Sequence, residues 1–279
     1  MDNTQAQPQP NASPAVAKLY TLSRPQRKWT DYIGRHEITA EDIPALIDII
    51  TNKELLYFEG EAAAAEVVIH AYRALAQLNA AEALPAMVGL YQYEPDDVLG
   101  DHFTEDLPTA IEMIGESGLP YLQELLPRGH EIGFWGQSFV AHTIGVIGRD
   151  HPHLREDCLN TLAAQLEQYS NQGDDLNAKI IVALCEMKAA EVAPLIEQVY
   201  EADRVDWSIV GDWEDVQVAL GILDKRETPR PRYNGFGNLF SRADEDPVVA
   251  EKRRVKENRT RLHAHAKKKK AKAKKKHRR

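Results

Sequence analysis

Residues 42–50 read DIPALIDII, and the same phrase returns as ALPAMVGLY at 83–91, GLPYLQELL at 118–126 and VAPLIEQVY at 192–200. Each places a proline in the first turn of an apolar run with helical spacing, where a missing N–H is harmless because that amide has no intrahelical partner. Pro44, Pro85, Pro120 and Pro194 are separated by 41, 35 and 74 residues, and 74 is twice 37. HLREDCLNTLAAQL at 153–166 fills the gap without a proline of its own. Between these stretches lie second helical patterns at 62–78, 107–115, 134–148, 175–187 and 214–223, and strand-like alternation is absent. Five helix pairs with a period of about 37 residues predict an all-α chain, an α-solenoid of the HEAT or armadillo kind. The competing fold is an irregular all-α bundle with accidental spacing.

Outward from this block the chain changes character at both ends. Residues 1–17 (MDNTQAQPQPNASPAVA) have no apolar period and read as a disordered leader. The solenoid is expected over 18–224, a Pro- and Gly-rich connector over 225–250, and a disordered basic tail over 251–279. Residues 252–279 hold sixteen Lys/Arg against the single acid Glu257, whereas residues 1–251 hold eighteen against forty-two Asp/Glu. The body repels phosphate and the tail attracts it, so the two parts suit different partners. No apolar run approaches the roughly 18–20 residues of a membrane helix, and the N-terminal residues lack a basic region followed by an apolar stretch. The expectation is a cytoplasmic protein without a membrane partner. Cys158 and Cys185 sit in apolar helical patterns and read as small buried hydrophobes of a reducing compartment.

Three acidic motifs stand out: Thr39-Ala-Glu41-Asp42, Gly100-Asp101-His102-Phe103-Thr104-Glu105-Asp106-Leu107-Pro108 and Gly211-Asp212-Trp213-Glu214-Asp215. Each fits an N-cap followed by acids in the first turn, facing the free amides and the positive end of the helix dipole. In the alternative, Asp101, His102, Glu105 and Asp106 are catalytic carboxylates with a partner imidazole, or hard metal ligands. Residues 74–127 contain no Lys or Arg and ten acids, which makes Glu94, Asp96, Asp97, Asp101, Glu105 and Asp106 candidates for docking a basic partner or the chain's own tail. The histidines lack zinc-ligand spacing, and neither a P-loop nor a GxGxxG occurs, so no metal and no cofactor is expected. The connector residues Arg230, Arg232, Tyr233, Phe236 and Phe240 fit either a contact surface or a cap along the last repeat.

GRHEITAEDIPALIDII at 34–50, DDVLGDHFTEDLPTAIEMI at 96–114 and VYEADRVDWSIVGDWEDVQVAL at 199–220 resemble signature segments of an uncharacterised all-α bacterial family of the DUF1186 type, with HEAT-like repeats. The resemblance covers about residues 20–224. It implies the fold and carries no activity. Members of that family frequently end in a Cys-rich SEC-C zinc module linked to protein export and translation-associated factors. This chain has no cysteine there, so a zinc-dependent contact is not expected.

The leading expectation is a non-enzymatic interaction scaffold with a protein partner, because nothing assembles a nucleophile, a base and an orienting group. A second is a nucleic-acid- or ribosome-associated factor whose tail, through Lys267, Lys268, Lys269, Lys270, Lys272, Lys274, Lys275, Lys276, Arg278 and Arg279, binds phosphates. A third is an enzyme resembling the HEAT-like lyases that attach bilin pigments, using the 101–106 segment.

Overall fold

The structure is a computed structural model that describes residues 12–56, 63–92 and 102–230. Its helices are α1 (Pro14–Leu19), α2 (Ile43–Thr51), α3 (Lys53–Leu56), α4 (Ala63–Gln77), α5 (Leu84–Gly89), α6 (Leu107–Ile114), α7 (Leu119–Leu125), α8 (Gly129–Asp150), α9 (Arg155–Leu166), α10 (Asp174–Glu186), α11 (Ala193–Glu201), α12 (Trp207–Val210) and α13 (Trp213–Leu220). Among the described residues there is no strand.

The helices stack as pairs in two rows. α4, α6, α8, α10 and α13 follow one another in an inner row, and α2, α5, α7, α9 and α11 pack behind them as the outer partners. The prolines at 44, 85, 120 and 194 lie in the first turns of α2, α5, α7 and α11, so the proline-led phrase marks the outer row. α8 bends at Gly133, whose φ of 66° favours glycine. Further along, Gly145 lets α8 and α10 approach closely: a Cβ there would lie 3.0 Å from the Ala183 carbonyl oxygen.

The link between the two rows is itself repeated, from inner to outer helix after α4 and α10 and from outer to inner after α11. After α4, α10 and α11 the chain passes through Asn79, Lys188 and Asp203, with φ of 55°, 50° and 53°. In each case the next amide reaches back to close the helix end, Ala80 N to Leu75 O, Ala189 N to Leu184 O and Arg204 N to Val199 O, all at 3.1 Å. The first two turns share a sequence, NAAEALP at 79–85 and KAAEVAP at 188–194. That echo runs directly into Pro85 and Pro194 and so extends the proline-led phrase back into the preceding turn.

Order begins earlier than the sequence suggests. Residues 1–11 of the expected leader lie outside the described residues, but Pro14–Leu19 is helical. Ser13 caps it by accepting from Val16 N and donates its hydroxyl to Asp42 at 2.5 Å, while Val16 and Leu19 are buried. Six residues with two apolar anchors are too short for a helical period to register. Cys158 and Cys185 are buried free thiols, and burial pushes the Cys158 thiol up to about 11 and that of Cys185 higher still.

Candidate functional site

Three inner helices carry the same spacing of side chains on their outward stripe. α4 places Glu66, His70, Arg73 and Gln77 there, α8 places Trp135, Phe139, His142 and Val146, and α10 places Asp175, Lys179, Val182 and Glu186. An i, i+4, i+7, i+11 spacing brings four residues onto one helical face. What those residues meet differs along the row.

On α4 the stripe serves a strap formed by residues 20–38. The strap lacks regular backbone pairing, so its buried peptide groups need side-chain partners. Arg73 Nη1 donates to Gln26 O (2.9 Å), Gln77 Nε2 to Thr30 O (2.8 Å), and Tyr32 N donates to Gln77 Oε1 (2.8 Å). His70 Nε2 lies 3.1 Å from Ser23 O, and because a carbonyl only accepts, Nε2 carries the proton. Nδ1 is then the acceptor for the Tyr32 hydroxyl at 2.6 Å. Burial lowers His70 to a pKa of about 4 and raises Tyr32 to about 12.

Asp106 completes this end. It closes a π-turn over His102–Asp106 at the start of α6, and its carboxylate is turned inward. Trp29 Nε1, Tyr72 OH and Arg73 Nε each donate to it at 2.7 Å, and the Arg73 guanidinium lies 5.0 Å from the Trp29 ring centroid. Burial, reinforced by the Asp106 charge, holds the Tyr72 hydroxyl well above its usual range. His102 Nδ1 is 3.8 Å from the same carboxylate, an ion-pair distance but not a hydrogen bond, and burial lowers its pKa.

The three acidic motifs therefore play different parts. Asp42 accepts from Thr39 N at 2.8 Å, the returning half of a capping box. Asp212 accepts from Asp215 N at 2.9 Å as the N-cap of α13. Asp106 makes no side-chain cap, because its oxygens are already engaged by three side-chain donors. Of the other candidates in that segment, Glu105 is exposed, His102 is half-buried, and Glu94, Asp96, Asp97 and Asp101 lie outside the described residues. Among the described residues no group of three or more His, Cys, Asp or Glu side chains is placed to hold a metal ion.

At the far end of the row residues 226–230 fold back on α13. Arg226 pairs with Asp212 (2.6 Å), Glu214 (3.0 Å) and Asp215 (2.7 Å), and Arg230 with Asp215 (2.8 Å), whose side chain is 1% exposed. The first residues of the connector thus cap the last helix, while Arg232, Tyr233, Phe236 and Phe240 lie outside the described residues, as does the basic tail.

Among the described residues, the centre of the row lacks such a cover. Trp135 is 55% and Met113 of α6 49% exposed, the largest exposures among the described large hydrophobic residues. Trp135, Phe139 and Tyr91 form an aromatic ladder with centroid spacings of 6.3 and 4.7 Å. Beside it His142 bridges adjacent helices, with Nε2 3.2 Å from Glu112 of α6 and Nδ1 3.4 Å from Glu186 of α10. Those two carboxylates raise its pKa to about 9, so it is cationic at neutral pH. Glu116 faces both His151 (3.1 Å) and His153 (3.2 Å). Trp135 and Met113 carry no motif in the sequence, and Glu112 stands there only as one of the ten acids of residues 74–127. Their signal is a polar and aromatic stripe at helical spacing in a helix whose remaining faces are buried.

A family model described as a protein of unknown function (DUF1186) matches residues 21–230. No curated protein and no solved structure matches the chain.

Proposed function

The chain belongs to the DUF1186 family, and from that premise and its helix stack we propose that it is a non-enzymatic, HEAT-like interaction scaffold. Its working surface is the centre of the inner row, which no described segment covers, and its partner is a basic protein segment bearing apolar side chains. The observation that carries this reading is the contrast in cover: chain segments close both ends of the row, while Met113 and Trp135 stay about half exposed between them. Glu112 and Glu116 of the Met113 segment and Glu186 of α10 outnumber the His142 cation that Glu112 and Glu186 share, leaving charge complementary to Lys or Arg. Trp and Met are residue types that concentrate binding energy when a partner desolvates them.

The position of Asp106 favours a scaffold over catalysis in the 101–106 segment. Its carboxylate oxygens are taken up by the three side-chain donors Trp29, Tyr72 and Arg73, which commits them to holding the strap rather than to a substrate. The tail, with its sixteen cations, adds a sequence-independent tether to nucleic acid or ribosomes.

The test is an affinity pull-down with full-length protein, a Met113→Ser/Trp135→Ser variant and a chain lacking residues 252–279, each with and without nuclease. The expected result is a set of nuclease-resistant basic partners that the surface variant loses and the tail deletion keeps. Retention of the same partners by the surface variant contradicts the proposed surface. If nuclease removes nothing from the full-length sample, the nucleic-acid tether is wrong.

A further inference from the structure

We infer that the cleft between the strap and α4 binds a small dianion of the phosphate-monoester class. The cleft has a volume of about 210 Å³ and is walled by Arg24 and Arg35 of the strap and Arg73 of α4, with Thr30, His36 and His70 beside them. Three arginines line it in a body where acids outnumber Lys and Arg by more than two to one. Their pairing is uneven. Arg73 is held by Asp106 at 2.7 Å, Arg24 only loosely by Glu66 at 3.8 Å, and the Arg35 side chain has no ion pair or hydrogen bond among the described residues.

Strap carbonyls that could repel an anion are already engaged: Ser23 O by His70, Gln26 O by Arg73 and Thr30 O by Gln77. The Thr30 hydroxyl and His36 Nε2, 3.1 Å apart, provide further polar groups at the wall. The planar fork of arginine matches the oxygens of a phosphate or carboxylate, and the two lining arginines without a close carboxylate, Arg24 and Arg35, supply two charges for a doubly charged group. Drug-sized ligands occupy roughly 300–1,000 Å³. The smaller cleft therefore fits a phosphate carrying a short substituent rather than a nucleotide. This site uses none of the residues of the open centre, so it stands or falls independently of the scaffold reading.

Inorganic phosphate is the probe, titrated calorimetrically into the full chain at constant ionic strength, with chloride as the exchanged anion. The expected result is one saturable site per chain, weakened at least tenfold by Arg35→Glu and retained in part by Arg35→Lys. Because Arg35 is exposed and its side chain makes no ion pair or hydrogen bond among the described residues, Arg35→Glu should melt with the parent in phosphate-free buffer. Phosphate also stabilises proteins by exclusion from their surfaces, but that effect acts equally on parent and variant. Arg24→Gln, on the other side of the cleft, gives a second reading and should weaken binding in the same direction. No saturable heat, or equal affinity in the parent, Arg35→Glu and Arg24→Gln, overturns the assignment.

Discussion

α4 and α8 belong to the same row and expose stripes of identical spacing, yet the stripes have opposite fates. Glu66, His70, Arg73 and Gln77 on α4 lie under the strap, and three of them bond directly to its backbone. Trp135, Phe139, His142 and Val146 on α8 meet no such strap among the described residues, and the one charged group among them is satisfied sideways by Glu112 and Glu186. A stack of helix pairs has to end somewhere, and an exposed last helix would present an unfinished core. Here the chain's own irregular segments finish both ends of the inner row. The side chains that look most chemical in the sequence were largely used for that purpose, and among the described residues the middle has no such cover.

The comparison breaks most visibly at Asp106. Asp106→Asn leaves the Arg73 cation buried without its counter-charge, and loss of one member of a buried pair typically costs about 3–5 kcal/mol. Urea unfolding should register a loss of that size, and a change below about 1 kcal/mol would mean that the hub does not hold the strap.

Acid should act at the same end. The folded pKa of His70, about 4, lies below its ordinary value of 6.5, so the unfolded chain binds the extra proton first. Stability from this group is therefore complete above pH 6.5 and is lost as the pH falls through 4, on the order of 3 kcal/mol in full. Burial sets it first, opposed by the Ser23 carbonyl and reinforced by Arg73, His36 and His102, while the Tyr32 hydroxyl faces the ring from the strap. Thermal melts between pH 7 and pH 4 should fall less steeply in His70→Gln than in the parent, and parallel curves would contradict the assignment.

The opposite end should respond more mildly. Arg226→Met removes the cation shared by Asp212, Glu214 and Asp215 and should cost about 1.5–3 kcal/mol in the same urea experiment. At the centre, Met113→Ser and Trp135→Ser should stay within about 0.5 kcal/mol of the parent, because exposed side chains without buried partners contribute little to folding. A loss as large as that of Arg226→Met would recast the aromatic ladder as core.

Much of the fold was legible in the sequence. Helical period and proline placement located α2, α4 to α7, α9 to α11, α13 and the main body of α8 to within a few residues, because each buries a sustained apolar face. The strap was not legible, since a segment whose backbone is satisfied by distant side chains leaves no period of its own. Asp106 was misleading for a related reason: a carboxylate at a helix start has the same local signature whether it caps its own amides or reaches Trp29, Tyr72 and Arg73, which are 77, 34 and 33 residues away. The polar stripe of α4 was visible in principle. Four hydrogen-bonding side chains on one face of an otherwise apolar, fully packed helix call for a polar partner, even when the sequence does not say which segment supplies it.

Site-specific photo-crosslinking tests the central claim most directly. A photoreactive residue is placed at position 135 in the centre of the row and, in a second protein, at position 27 on the exposed strap. The account predicts a discrete crosslink to a basic protein from position 135 and none of that species from position 27. Equal yields from both positions, or a crosslink from position 27 alone, would contradict the division of the row into closed ends and a working centre.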